Sequence, residues 1–195
     1  ETKVAENAVV LFDGAPVRYQ EFHYFMLHKP AGYLTALSDG RDRTVAELMD
    51  RRFKDLSPVG RLDKDTEGLL LLTDDGALAH QLLSPKKEIP KTYYLRTETP
   101  ISDTASDYLK EPVVYKEFPS RPADLKRLNE FEAEITVTEG KFHEVKRLMH
   151  AAGSDVAYLK RIAFGPLLLG DLPAGESREL SEEEIRALKE AVKTL

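Results

Sequence analysis

An arginine and two aspartates stand close together in one short polar segment of the sequence, Gly60 to Thr66, just before a run of leucines. The leucine run, Gly68 to Thr73, predicts a buried strand, because solid apolar runs are typical of strands covered on both faces. A loop fixed by such a strand is a rigid platform for a catalytic side chain. The same charges also fit a solvated polar turn, so the spacing alone leaves both interpretations open.

A second candidate segment lies between Glu139 and His150. At about 100° per residue its apolar side chains fall on one side of a helix and its basic side chains on the other. Lys146 stands at the border of the apolar stripe, so its stem can pack while its ammonium points into a site. A solvated basic face fits the pattern equally well. The apolar side comprises Phe142, Val145, Leu148, Met149 and Ala152, and the polar side His143, Lys146, Arg147 and His150.

Two adjacent tyrosines, Tyr93 and Tyr94, lie in a segment that predicts a strand. Successive side chains of a strand point to opposite faces, so one ring can stand in a cleft and stack on a base. If Tyr93 faces the cleft, Tyr94 belongs to the core. Packing of both rings in the core is the alternative.

Three other kinds of site are not supported by the sequence. The four aspartates between positions 63 and 75 have no glycine-rich phosphate loop beside them, which argues against phosphoryl transfer. His143 and His150 are seven residues apart but lack a third ligand nearby, so no metal site is predicted. Ser57 and His80 lack the Gly-x-Ser-x-Gly turn of a serine hydrolase.

The elements that position these segments predict an α+β protein, because helices and strands alternate without regular βαβ repetition. Capping boxes at Thr44 with Glu47 and at Ser181 with Glu184 predict two helix starts. Residues 111–130 predict loops around short strands. Strands are predicted at Val9–Phe12, Phe22–Leu27, Gly68–Thr73, Thr92–Arg96, Ala133–Val137 and Val156–Phe164, and longer helices at Ala77–Leu83, Ser102–Lys110, Phe142–Ala152 and from Ser181 to about Val192.

The composition of the 195 residues, 42% hydrophobic and 32% charged, is that of an ordinary globular protein. The absence of cysteine excludes disulfides, thiolate metal sites and cysteine nucleophiles, and fits a reducing cytoplasm. The longest aliphatic runs are far shorter than the ~20 residues of a membrane span. The net charge of −6 is uneven, since residues 139–161 carry five basic and three acidic side chains. A local basic patch for RNA is therefore compatible with the acidic total.

Taken together, four segments of the chain resemble the ribosomal RNA pseudouridine synthases, in the same order along the sequence. The branch that they resemble is the small-subunit (16S) pseudouridine synthase A family. The resemblance extends from about Val9 to Ile185. The four segments are Phe25-Met-Leu-His-Lys-Pro-Ala-Gly-Tyr33, Gly60-Arg-Leu-Asp-Lys-Asp-Thr-Glu-Gly-Leu-Leu-Leu-Leu-Thr-Asp-Asp-Gly76, Lys91-Thr-Tyr93 and Glu139-Gly-Lys-Phe-His-Glu-Val-Lys-Arg-Leu-Met149.

This resemblance implies the pseudouridine synthase fold, a mixed, mainly antiparallel central sheet divided by an RNA-binding cleft and flanked by helices. It implies a domain organisation in which residues 1–22 are the linker after a missing S4-type RNA-binding domain and residues 23–195 are the catalytic domain. It implies isomerisation of a uridine in 16S rRNA without cofactor or metal. The expected partner is ribosomal RNA or an assembling small ribosomal subunit. The protein is expected to be a cytoplasmic monomer that does not associate with a membrane.

The resemblance also implies roles for individual residues. Asp63 matches the catalytic nucleophile, Arg61 the residue that helps to position the flipped nucleotide, and Tyr93 the aromatic ring that stacks on the target base. Lys146 matches the basic residue that pairs with the catalytic carboxylate, and Val145 the apolar wall beside it. The candidate phosphate contacts are His143, Arg147, Lys160 and Arg161.

Two alternatives remain open at the level of sequence. A synthase acting on large-subunit (23S) rRNA shares most of these motifs. A non-catalytic RNA-binding factor for ribosome assembly would keep the same scaffold, although the presence of Asp63 with its partners favours an enzyme.

Overall fold

The structure is a computed structural model that describes residues 8–17, 20–50, 52, 55–114, 119–141 and 143–193. Four α-helices in this part of the chain are α1 (Gly76–Leu83), α2 (Ala105–Leu109), α3 (Glu144–Ala151) and α4 (Glu182–Ala191). Short 3₁₀ helices cover Val45–Leu48 and Pro85–Lys87. None of the helices within these ranges has the length and apolar character that a membrane span requires.

The first two strands, β1 (Val10–Phe12) and β2 (Ala15–Val17), form a hairpin of their own. Asp13 and Gly14 make the turn, both with positive φ, as the Asp-Gly pair predicts. The hairpin pairs with no other described strand and lies within the segment predicted as a linker.

The remaining nine strands of the described chain form one mixed, mostly antiparallel sheet with the order β11-β3-β5-β9-β6-β8-β7, which confirms the α+β prediction. β4 pairs with β5 and β10 with β9 at its margins. The strands are β3 (Tyr24–Lys29), β4 (Ser57–Pro58), β5 (Glu67–Thr73), β6 (Lys91–Thr97), β7 (Asp124–Arg127), β8 (Glu132–Val137), β9 (Val156–Phe164), β10 (Leu167–Leu168) and β11 (Ser177–Glu179).

The centre of this sheet is a weak junction. β5 and β9 run parallel and pair at only two positions, Glu67 with Lys160 and Gly68 with Arg161. Gly68 has φ +108°, and a Cβ at this position would lie 2.2 Å from the carbonyl oxygen of Arg161. Only glycine permits the two backbones to approach so closely. The junction therefore divides the sheet into a β3–β5 half and a β6–β9 half.

The β3–β5 half is buried on both faces, as the leucine run predicts. Leu69 and Leu71 pack in a cluster with residues of α1 and α4, whereas Leu70 and Leu72 pack on the other face with Val45. All four leucines of β5 are fully buried. Such double coverage explains why this strand shows no polar alternation in the sequence.

The β6–β9 half has its apolar cluster on one face, which α2 and α3 cover. β8 alternates between buried and half-buried residues along its whole length, as predicted. The helix predicted over Ser102–Lys110 is shorter, Ala105–Leu109. The helix predicted over Phe142–Ala152 is α3, which begins at Glu144, and position 142 lies outside the described residues. Gly153 follows α3 with φ +95°, as expected for the glycine after a helix.

Capping boxes mark two helix starts as predicted. The Thr44 amide donates to Glu47 at 2.9 Å before the first 3₁₀ helix. Ser181 and Glu184 exchange amide-to-side-chain hydrogen bonds of 2.8 and 3.1 Å at the start of α4. These local bonds satisfy amide groups that a helix terminus leaves without partners.

Candidate active site

A small cavity opens where the two halves of the sheet meet. This inner cavity encloses about 100 Å³ between the 60–66 loop, residues 140–141 and 143–146, and the strands β6 and β9. A wider groove of about 740 Å³ adjoins it and shares Arg61, Asp63 and His143 with it. The outer groove is mainly basic, with Arg61, Lys64, Lys91 and Lys141 against Asp63 and Glu139. This local basic surface is the kind that an acidic chain needs to bind RNA.

The 60–66 loop is held at several points along its backbone. The Thr66 amide donates to the carbonyl of Asp63 at 3.0 Å and closes a turn. Thr35 bonds both backbone groups of Leu62 through its hydroxyl, at 2.8 and 3.1 Å. The ammonium of Lys29 donates to the carbonyls of Lys64 and Thr66 at 3.2 and 2.7 Å. The position of Asp63 is therefore fixed by both flanks of its loop.

Asp63 lies between two side chains from the start of α3. Its Oδ2 is 3.1 Å from Lys146 Nζ and its Oδ1 is 3.4 Å from His143 Nε2. One quarter of the Asp63 side chain is exposed, so a substrate can reach it. Lys146 and His143 therefore hold both carboxylate oxygens of Asp63 in place at the cavity.

Lys146 serves two carboxylates, because its Nζ also bonds Asp65 Oδ1 at 2.8 Å. Burial by itself lowers the pKa of Lys146, but the hydrogen bonds and charges of Asp65 and Asp63 together raise it. The hydrogen bond from Lys146 in turn lowers the pKa of Asp65. Lys146 therefore remains charged, and Asp65 is a partner of the site rather than an isolated loop charge.

Tyr93 and Val145 line the inner cavity. Tyr93 is half-buried and packs between the clusters of the two sheet halves. Val145 is buried, 4% exposed, in the cluster under α3. Arg61 is exposed and lines both the inner cavity and the outer groove. Arg147 is exposed on α3 and lines a shallow pocket beside Lys146.

Tyr94 differs from its expected place in the core. It points to the opposite face of β6 and is only half-buried. Its hydroxyl bonds Glu132, and its ring meets that of Tyr158 edge to face, with 6.1 Å between the centroids. Among the described residues no helix covers this face of the β6–β9 half, so the ring belongs to a half-open polar layer.

Two candidate phosphate contacts lie elsewhere than expected. In the backbone pairing of the sheet, Lys160 lies opposite Tyr94 of β6 and Glu67 of β5. Its side chain is therefore on the face of the sheet opposite to the inner cavity. Arg161 lines the inner cavity but is only 2% exposed, and its Nε donates to the carbonyl of Leu69 at 2.8 Å. A side chain so deeply buried cannot meet the phosphates of an RNA strand in the outer groove. The phosphate contacts of His143 and Arg147 stay predictions.

The sequence pattern missed three buried ionisable residues at the site. Lys29 is fully buried, and this burial lowers its pKa to about 8 against the opposing effect of nearby carboxylates. Burial, followed by the charge of Arg161, lowers the pKa of Lys91 to about 8. Burial, followed by the charge of Glu139, raises the pKa of Glu144 to about 7. Lys29 and Lys91 stand in the quoted motifs, but nothing in the pattern distinguishes them from surface lysines.

The fold and this site agree with one family. A model of the RNA pseudouridylate synthase family matches residues 23–151, about two thirds of the chain. The chain belongs to this family and is an RNA pseudouridine synthase, an isomerase that converts uridine to pseudouridine.

Particular relatives support the assignment. The chain is 46% identical over 187 residues to the Bacillus subtilis RNA pseudouridine synthase YtzG, covering 91% of this chain and 77% of that protein. It is 39% identical over 184 residues to the Escherichia coli (strain K12) ribosomal small subunit pseudouridine synthase A, covering 92% and 80%. A crystal structure of a pseudouridylate synthase superposes with a TM-score of 0.82 at 33% identity, covering 96% and 83%.

Proposed function

We propose that this enzyme isomerises one specific uridine of 16S rRNA and that Asp63 is its nucleophile. The observation that carries the proposal is the placement of Asp63 at the mouth of the inner cavity with Lys146 Nζ 3.1 Å away. The relative from Escherichia coli, named for the small ribosomal subunit, supports the choice of 16S rRNA.

The reaction breaks the bond between N1 of uracil and C1′ of ribose, turns the base, and joins C5 to C1′. A carboxylate at Asp63 can add to C1′ as the base leaves, or it can assist removal of the C2′ proton toward a glycal. In both routes the electron pair of the broken bond stays with the uracil until C5 attacks, and the C5 proton is then released to water.

The residues around Asp63 position either the substrate or the Asp63 carboxylate. The target nucleotide has to leave the RNA stack, and Tyr93 replaces part of the lost stacking, worth about 1–3 kcal/mol for base–aromatic pairs. The exposed guanidinium of Arg61 binds a phosphate as a planar fork. Lys146 holds the carboxylate of Asp63 in place through the contact of 3.1 Å. His143 and Arg147 supply further phosphate contacts, which position RNA without reading its bases.

The test compares pseudouridines mapped across 16S and 23S rRNA in the source organism with and without this protein. We expect one pseudouridine of 16S rRNA to disappear and to return with the wild-type protein but not with Asp63→Asn. Loss of a 23S pseudouridine instead would contradict the 16S assignment. Restoration by Asp63→Asn would contradict the role of Asp63.

A further inference from the structure

Two buried polar atoms of the inner cavity have no hydrogen-bond partner in the described part of the chain, Arg161 Nη2 and Thr66 Oγ1. Both residues line the inner cavity, and each is only 2% exposed. A buried polar group without a partner destabilises the folded protein, and a charged one does so more strongly. Two such groups at one cavity indicate a ligand that supplies the missing partners.

Arg161 is fixed at the floor of this cavity. Its Nε bonds the carbonyl of Leu69 at 2.8 Å, and its guanidinium carbon lies 5.2 Å from the centre of the Phe164 ring. It stands directly across the β6–β9 ladder from Tyr93, so their side chains share one face of the sheet. Arg161 and Tyr93 therefore both line the inner cavity from one face of the sheet.

The charges around Arg161 favour an anion in the inner cavity. Lys91 lines the same floor, with its Nζ bonded to the carbonyl of Ile89 at 3.0 Å. Glu144 is the buried acid that faces them, and burial raises its pKa to about 7, toward the neutral form. Two basic side chains, Arg161 and Lys91, thus stand at the floor beside one buried acid, Glu144. Under the proposed function the phosphates lie in the outer groove, so the ligand at the floor is the base itself.

We propose that Arg161 donates a hydrogen bond to a carbonyl oxygen of the target uracil and stabilises the negative charge that the base carries while it is detached. When the N1–C1′ bond breaks, the electron pair moves onto N1 and is shared with O2 and O4. The hydroxyl of Thr66 meets the base edge as a second, weaker contact. This inference rests on the proposed role of Asp63, which attacks or assists at the sugar while Arg161 acts on the leaving base.

A fixed donor aimed at developing charge acts mainly in the transition state, and its removal typically costs about 10²–10³-fold in rate. The loss of rate on removing the donor depends on how basic the leaving uracil is. Fluorine at C5 withdraws electrons and makes uracil a better leaving group, so cleavage of 5-fluorouridine needs less help from Arg161. A residue that only supports the fold would affect both nucleotides equally.

The experiment uses an RNA fragment that carries the mapped target as uridine or as 5-fluorouridine. Single-turnover consumption of the intact target nucleotide is measured for wild type, Arg161→Met, Arg161→Lys and Lys160→Met. Lys160→Met is the matched control, because this neighbour on β9 faces the other side of the sheet. Thermal melts establish which variants are folded, and Arg161→Lys, which keeps the charge, serves if Arg161→Met does not fold.

We expect Arg161→Met to consume uridine about 10²-fold or more slowly than wild type and to lose at least tenfold less with 5-fluorouridine. Arg161→Lys shows the same difference at smaller size, and Lys160→Met shows none. Equal losses for the two nucleotides in a folded Arg161 variant would overturn the inference. Asp63→Asn in the same assay tests the nucleophile separately, since its activity has to vanish with both nucleotides.

Discussion

The two halves of the central sheet are built on different principles. In the β3–β5 half, apolar clusters cover both faces, and the leucines of β5 are fully buried. In the β6–β9 half, one face is apolar and the other carries a polar and aromatic layer with Tyr94, Tyr158 and Arg96. Buried strands of the first kind are rigid supports, whereas strands of the second kind offer side chains to solvent and ligands.

The candidate site draws one set of groups from each half. Asp63 and Thr66 come from the loop that leads into β5, and Tyr93 and Arg161 come from β6 and β9. The halves touch at only two paired positions, beside which the inner cavity opens. The junction between the two halves, rather than either half alone, brings the residues of the candidate site together.

The largest effect is expected at Gly68, where the halves meet. Gly68→Ala places a Cβ 2.2 Å from the Arg161 carbonyl oxygen and 2.7 Å from its amide nitrogen, in a backbone conformation that L side chains avoid. We expect the free energy of unfolding to fall by more than about 3 kcal/mol, together with loss of activity. Urea unfolding measures the free energy of unfolding. Gly40→Ala is the control, because a Cβ at this position meets nothing within 4 Å. Equal stability of the two variants would show that the junction accepts a side chain at position 68 without strain.

The next effect concerns the cation beside Asp63. Lys146→Met keeps the stem and removes the charge 3.1 Å from the carboxylate, so we expect single-turnover rates with saturating RNA to fall about 10²-fold. Arg147→Met, one residue further on α3, should weaken RNA binding without this loss of rate. It should also reduce the slope of the logarithm of the binding constant against the logarithm of the salt concentration by about one. Asp65→Asn should fall between them, because it removes one of the two carboxylates that hold Lys146. Matching rates for the two Met variants would rule out the pairing.

A smaller, pH-dependent effect is expected at Glu144, which helps to line the inner cavity. Its pKa is raised from the ordinary 4.5 to about 7 by burial and then by Glu139, with Lys91 opposing. The folded state therefore binds more protons between these values. The protonation of Glu144 therefore stabilises the folded state fully below pH 4.5, and this stabilisation is lost as the pH rises through 7. Glu144→Gln should remove roughly 2 kcal/mol of this pH dependence, measured by urea unfolding at pH 5 and pH 8. Parallel profiles for wild type and variant would contradict it.

The smallest effect is expected on the half-open face of the β6–β9 half. Tyr94→Ala removes an edge-to-face contact with Tyr158 and a hydrogen bond to Glu132, but it leaves no cavity in the core. We expect a loss of about 1–2 kcal/mol in the free energy of unfolding with activity retained. Tyr94→Phe keeps the ring and isolates the contribution of the hydroxyl. A loss of 3–5 kcal/mol, typical of a buried aromatic, would show that this face is covered.

Much of the fold follows from local patterns in the sequence. The leucine run predicts β5 because burial on both faces removes polar alternation, and the alternation of Ala133, Ile135 and Val137 predicts β8 because only one of its faces is buried. The capping boxes at Thr44 and Ser181 predict helix starts because their hydrogen bonds are local. Features settled by neighbours in sequence are thus readable from the sequence.

The errors at the site arise from contacts between distant segments. Lys160 and Arg161 are both basic residues on one strand, and their sequence does not tell which face holds the cavity. Lys29 lies beyond the end of the predicted strand Phe22–Leu27, yet it is the last residue of β3 and is fully buried, because carbonyls of the 60–66 loop accept its hydrogen bonds. Tyr94 is expected in the core because a strand has two faces, but on this half only one face is apolar.

The most direct test of the central claim is tritium release from rRNA that contains 5-tritiated uridine, since tritium leaves C5 only when C5 joins the sugar. Asp63→Asn keeps the size of the side chain and removes the nucleophile. We expect wild type to release tritium and Asp63→Asn to be slower by at least about 10⁴-fold, while it still binds the RNA within a few-fold of wild type. Appreciable multiple turnover by Asp63→Asn would show that Asp63 is not the nucleophile.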